Sequence, residues 1–256
     1  MDFRTRWRMY LCEIVGTAVL VLVGLSVVIV MFGDGSPLAA LIPNVRLRQV
    51  ITGFLFGSTG GLVALSAVGR ESGAHINPAV TLGFWMARKI ETRVAVGYAL
   101  SQLIGAALGS LPLLAWGAMG RSIAFGATLP GPGYSTSQVV LGEVVTTFGL
   151  VATLCVFLAV RSLRRFTPAA MPVLYAIMVP LEAAISGTST NPARTFGPAL
   201  VSGRWDGWWI YWVGPITGAL AAMLAMSFLV RRIEVAKIYH FDSDRDRIFR
   251  RMAHQG

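Results

Sequence analysis

The chain has 256 residues, 55% of them hydrophobic and 13% charged, with a net charge of +10. This mix, with a mean hydropathy of +0.64, excludes an ordinary soluble globular protein and reads as a polytopic membrane protein. The positive charge does not mark a nucleic-acid binder, because the basic residues lie in clusters between apolar runs and no basic face with interleaved aromatics is found.

Runs of about 17 to 25 apolar residues predict six spanning helices. The first, 9–32, comes after the basic start "MDFRTRWRMY". It is longer than a signal-peptide core of about 7 to 15 residues and lacks a small-residue cleavage site, so it is read as a retained span. The second, 48–68, carries Gly53, Gly57 and Gly61 on one face. Such a face suits close packing against a neighbouring helix. After it comes "SGAHINPAVTLG", Ser72 to Gly83, and then the third span, 94–117, in which Gln102 is expected to hydrogen-bond between helices. The fourth and fifth spans are 138–160 and 169–185. Next stand "SGTSTNPARTFG", Ser186 to Gly197, and the sixth span, 207–230, which opens on the interfacial aromatics "WDGWWIYW". "FGDGSPLAALIPN" and "GATLPGPGYSTSQ" are Gly/Pro-rich external loops. The charged remainder, 231–256, reads as a solvated or membrane-surface tail with no motif that can be attached to chemistry. Cys12 and Cys155 sit in or beside apolar runs, where a thiol behaves as a small hydrophobe, and do not make a disulfide framework.

Orientation is set by Lys and Arg. With both termini cytoplasmic, the inner side takes Arg4, Arg6, Arg8, Arg70, Arg88, Lys89, Arg93, Arg161, Arg164, Arg165 and the basic tail. Only Arg46, Arg48, Arg121, Arg194 and Arg204 fall outside. The positive-inside rule selects this topology, with the cell (plasma or inner) membrane as the expected location.

The chain also repeats itself. "CEIVGT" at Glu13 and "GEVVTT" at Glu143 open two halves, each with a Ser-Gly-x4-Asn-Pro-Ala element after its second span. We read 1–120 as one repeat, 121–230 as the second and 231–256 as the tail. Three crossings per half is an odd number, so the second copy must be inverted. Asn is a preferred helix N-cap and Pro is favoured at the first helical position, so Asn77-Pro78-Ala79 and Asn191-Pro192-Ala193 start helices. Each of these helices has room for only two or three turns, about half a membrane at ~1.5 Å per residue. The polar segments before them are tolerated at membrane depth only if buried in protein or lining a watery cavity. The two half-helices are therefore expected to enter from opposite faces and meet near the midplane. There, roughly half a positive charge at each N-terminus and the two Asn amides would favour a water oxygen, repel cations and interrupt a proton wire.

The paired "SGAHINPAV" and "SGTSTNPAR", with six spans and a Glu in the first and fourth, resemble the aquaporin and aquaglyceroporin (major intrinsic protein) family over roughly residues 9 to 230. The resemblance implies an all-α membrane fold of six transmembrane helices plus two re-entrant half-helices. It implies a homotetramer in membrane lipid with one pore per subunit, passive flow of water and small neutral solutes, and no cofactor or metal. It places a selectivity filter at Gly57, Val179, Thr188 and Arg194. Val80 occupies the position equivalent to Arg194 in the first copy, so only one side carries a charged constriction. Water-selective members usually place an aromatic and a histidine where Gly57 and Val179 stand, so this pair suggests a wider opening. Thr195, Ala199 and Tyr211-Trp212 resemble the water-channel subgroup instead, and Gly57 serves helix packing equally well.

Other ionisable residues carry competing readings. Glu13 and Glu143 are either proton-relay carboxylates or, as the resemblance implies, acceptors for the backbone of the re-entrant loops. Glu182 either pairs with Arg194 or holds the loop 186–190. His75 either touches or gates the pore by protonation near its ordinary pKa of about 6.5, or is satisfied by loop backbone. A glycerol or metalloid-hydroxide facilitator is the alternative channel. An ion-coupled transporter would need carboxylates at the broken helices, where donors and dipoles stand instead. No nucleophile, base and orienting group can be assembled for an enzyme.

Overall fold

The computed structural model describes residues 3–229 and 235–239; the tail read at 231–256 otherwise lies outside the described residues. Six long helices form among them: α1 (Phe3–Phe32), α2 (Val45–Leu65), α4 (Thr92–Ser110), α5 (Thr136–Ala159), α6 (Thr167–Glu182) and α8 (Ile210–Leu229). Two short helices, α3 (Pro78–Met86) and α7 (Pro192–Ser202), come after the second and fifth of them. No strand occurs among the described residues.

Length and composition alone qualify four helical stretches to cross a membrane: Thr5–Phe32, Thr92–Ser122, Thr136–Ala159 and Ile210–Leu229. The second of these continues α4 through a 3-10 turn, Leu111–Trp116, and a kink at Gly117, φ 55°. α2 falls short in apolarity because Gly, Ser and Thr occupy much of it, and α6 has only 16 residues. These two are also the helices packed most closely on each other.

Their contact explains the composition of α2. A Cβ added at Gly53 would stand 2.2 Å from the Tyr175 carbonyl oxygen. One at Gly57 would stand 2.6 Å from that of Met171, and one at Gly61 2.6 Å from that of Pro168. Three successive turns of α2 thus lie backbone to backbone on α6, as small-residue interfaces allow. Gly53→Ala is expected to lower the thermal stability of the detergent-solubilised protein by about 1–3 kcal/mol. An unchanged midpoint would show that the two helices can part without cost.

The remaining pairings come in matched sets. α1 crosses α4 where Gly105 and Gly109 meet the Ile14 and Ala18 carbonyls. α5 crosses α8 where Gly218 meets the Val144 carbonyl and Gly214 the Glu143 Cβ. Each half-helix packs on the third span of the other half, α3 on α8 and α7 on α4, so the halves interlock.

Candidate functional site

α3 and α7 start alike. Asn77 caps α3 with its Oδ1 accepting from Ala79 N at 2.8 Å; Asn191 caps α7 with its Oδ1 accepting from Ala193 N at 3.0 Å and Arg194 N at 3.3 Å. Pro stands first in both helices, where a missing N–H costs nothing. The amide nitrogens cross between the halves. Asn77 Nδ2 donates to the Thr190 carbonyl and Asn191 Nδ2 to the Ile76 carbonyl, both at 2.9 Å. The two helix starts are therefore held face to face. An amide group has two hydrogens, so each Asn keeps one for the cavity that both side chains line.

The loops before the caps are strained in the same way. Ala74, Ile76, Thr188 and Thr190 have φ of 51°, 44°, 53° and 53°, a region costing of order 1–3 kcal/mol for residues with a Cβ. A buried carboxylate holds each loop in this shape. Glu13 accepts from Ser72 Oγ (2.7 Å), His75 N (3.0 Å) and Ile76 N (2.8 Å). Glu143 accepts from Ser186 Oγ (2.5 Å), Ser189 N (2.8 Å) and Thr190 N (2.8 Å). Tyr98 and Tyr211 complete the correspondence by donating to the Ser72 and Ser186 carbonyls.

The halves differ around this frame. Gln102 Nε2 donates to Glu13 and to Thr81 Oγ1 in the first half. In the second, the Ser186 hydroxyl also lies against Glu182. Glu182 thus braces the loop, while Arg194 turns elsewhere: its Nη1 donates to the Gly126 carbonyl at 2.7 Å, and its guanidinium carbon lies 5.9 Å from the centre of the Phe56 ring. Gly126 belongs to a segment, Ala124–Gly126, with positive φ throughout. Nearby Thr128 Oγ1 meets Thr195 Oγ1 at 2.6 Å.

Between these parts runs a cavity of about 50 Å³, space for a few waters at roughly 10–15 Å³ each. Asn77 and Asn191 give it polar walls, and Leu20, Val80, Leu150 and Leu154 apolar ones. Its polar groups are few and aimed from two sides, as a pore for a small neutral molecule requires.

Comparison with known proteins agrees with this geometry. The family described as "Major intrinsic protein" matches residues 2–226.

The chain belongs to the major intrinsic protein family.

Aquaporin AqpM of Methanothermobacter marburgensis is 39% identical over 175 residues, 65% of this chain and 71% of that protein. Aquaporin-6 of Rattus norvegicus is 38% identical over 205 residues, 78% and 72%. A probable aquaporin AqpM of Archaeoglobus fulgidus is 35% identical over 248 residues, 87% and 96%. In fold, the chain is similar to the aquaglyceroporin from Plasmodium falciparum, with a TM-score of 0.68 at 19% identity over 86% of this chain and 94% of that one.

In this major intrinsic protein, Asn77, Pro78, Ala79, Asn191, Pro192 and Ala193 come together at the centre, and Glu13 and Glu143 stand behind them. Arg194 and Thr188 lie buried at the second half-helix and its loop. Gly57 lines the cavity; Val179 is half-buried on α6 and, like Thr188 and Arg194, lies outside the cavity wall. Sequence reasoning missed Phe56 and Tyr175, whose ring centres lie 5.9 Å apart and which both line the cavity. Tyr175 OH also meets Thr190 Oγ1 at 2.8 Å. One signal was available: Tyr175 is one helical turn from Val179 and Phe56 adjoins Gly57, so a small shift of register finds both. His75 is stacked on Phe84 at 4.2 Å between ring centres and lines the cavity. Its Nε2 lies 3.1 Å from the Ala236 carbonyl.

Proposed function

We propose that this chain is a passive membrane channel for water and small uncharged solutes. The observation that carries the reading is the cross-tied pair of helix starts: Asn77 and Asn191 each bind the opposite loop and share one cavity. A water oxygen between them accepts from the free amide hydrogens. Its own hydrogens then point away along the pore, so it cannot accept a proton from one neighbour and pass it to the next. The two N-terminal half charges repel cations at the same place.

Arg194 is assigned to the selectivity filter with Gly57, Val179 and Thr188. The Phe56 ring beside the guanidinium supports a narrower opening than Gly57 alone suggests, and so supports water over glycerol or metalloid hydroxides. Glu13 and Glu143 are assigned to scaffold rather than proton relay, because their oxygens are taken up by loop donors. His75 and Glu182 are assigned to the two mouths. We further read 1–120 and 121–230 as inverted repeats, both termini as cytoplasmic in the plasma or inner membrane, and the assembly as a homotetramer in lipid. The outward rows of exposed Leu, Val and Ile along α1, α4 and α8 support contact with lipid or sister subunits.

Proteoliposomes decide the solute. In stopped-flow light scattering, osmotic shrinkage is expected to exceed that of protein-free vesicles, with little re-swelling in glycerol. Phe56→Ala is expected to add glycerol re-swelling. Shrinkage at the protein-free rate would refute the channel, and glycerol re-swelling in the unaltered protein would favour the facilitator reading.

A further inference from the structure

The segment 235–239, which by residue type alone carries no motif that can be attached to chemistry, is folded against the re-entrant loop of the first half. Val235, Ala236 and Ile238 are buried. Ile238 N donates to the Gly73 carbonyl at 3.0 Å, and Lys237 Nζ donates to the Arg70 carbonyl. A carbonyl only accepts, so His75 donates through Nε2–H to the Ala236 carbonyl. Gly73, at φ 91°, leaves room for this approach: a Cβ there would stand 3.0 Å from the Ala236 oxygen. The Ile238 side chain forms part of the wall of the same cavity that holds Asn77 and Asn191. This end of the pore is the one beside the start of α1, where Arg8 pairs with Glu71 at 2.8 Å.

We propose that residues 235–239 are a plug carried by the chain itself, seated in the pore mouth next to the α1 N-terminus and restricting flow through it. Three features separate a plug from ordinary packing. It hydrogen-bonds to the short helix Ala67–Ser72 and the loop after it, which border the mouth, at Arg70, Gly73 and His75. It puts an apolar residue, Ile238, into the wall of the cavity that the channel reading gives to water, and an apolar constriction empties a narrow pore of water. It is also a short irregular stretch that belongs to no helix, so it can leave without unfolding a span. Displacing it opens the mouth and frees the His75 Nε2–H to face water.

The inference rests on the channel reading above, and the test separates the two. Full-length protein, a chain stopped after residue 234, and full-length Ile238→Asp are reconstituted at equal, quantified protein content, and osmotic shrinkage is measured by stopped flow. The carboxylate of Ile238→Asp cannot stay in the apolar wall, so both altered chains are expected to conduct about threefold or more above the unaltered one. Equal rates in all three would overturn the plug while leaving the channel intact. A rise in the shortened chain without one in Ile238→Asp would also overturn it, since the effect would then belong to other tail residues. If the shortened chain does not reconstitute, Ile238→Asp decides by the same criterion. Rates at the protein-free level in every sample would remove the channel reading, and the plug with it.

Discussion

Arg194→Ala is expected to raise permeability to glycerol, urea or protons by about tenfold or more, equivalent to ~1.4 kcal/mol off the barrier. The guanidinium is buried, held by the Gly126 carbonyl and placed beside Phe56, so alanine removes both a fixed positive charge and the bulk that stands against the Phe56 ring. Water flow itself should change little, because the Asn77–Asn191 pair is untouched. The Gly126 carbonyl loses one charged donor, worth about 1–3 kcal/mol, and the fold should survive. Solute re-swelling and the decay of a pH gradient in the same vesicles provide the readout. Unchanged values for every solute and for protons would remove Arg194 from the filter.

Glu143→Ala should act on the scaffold instead. It strands the Ser189 and Thr190 N–H groups in a buried loop, while the Ser186 hydroxyl keeps Glu182 as its acceptor. Orphaned buried donors cost about 1–3 kcal/mol each, and the set is expected to lower stability by roughly 3–5 kcal/mol. Thr188 and Thr190 would also be released from their positive φ, so the Thr190 carbonyl would no longer be held for Asn77. Water permeability should fall along with the thermal midpoint. Glu143→Gln keeps one acceptor oxygen and is expected to recover part of both losses. A Glu143→Ala protein with normal stability and normal flow would show that the carboxylate does not shape the loop.

Much of this architecture is local, and local features can be read along a chain. Spans appear as apolar runs: the predicted 138–160 and 207–230 fall within a few residues of α5 and α8, while α1 shares the end of the predicted 9–32 but begins earlier, at Phe3. Asn before Pro announces a helix start because capping and the missing N–H act within one turn. The doubling of that signal points to a shared centre, and both caps form as expected. Gly53, Gly57 and Gly61 could be recognised as a small-residue face, although their partner could not.

Other features depend on which distant residue arrives next to which. The choice between Glu182 pairing with Arg194 and bracing its own loop was open until α6 brought Glu182 against Ser186, and the loop 124–126 supplied Arg194 with a carbonyl instead. Gly126 opens what reads only as a Gly/Pro-rich connection, since an acceptor on the backbone leaves no mark in residue type. Phe56 and Tyr175 become walls of one cavity through the angle at which α2 meets α6, and no periodicity encodes that angle.

The short segment 235–239 is the extreme case: it lies 161 positions from His75 in the chain, Ala236 to His75, and 3.1 Å away in space. Amino-acid order alone was enough for helix number, the two half-helices and the cap chemistry, because each is settled within a turn or a span by hydrophobic transfer and backbone hydrogen bonding. The angle at which α2 meets α6, the partner of Arg194 and the seat of residues 235–239 were decided by tertiary packing, where side chains far apart in sequence meet on terms that only three-dimensional complementarity sets.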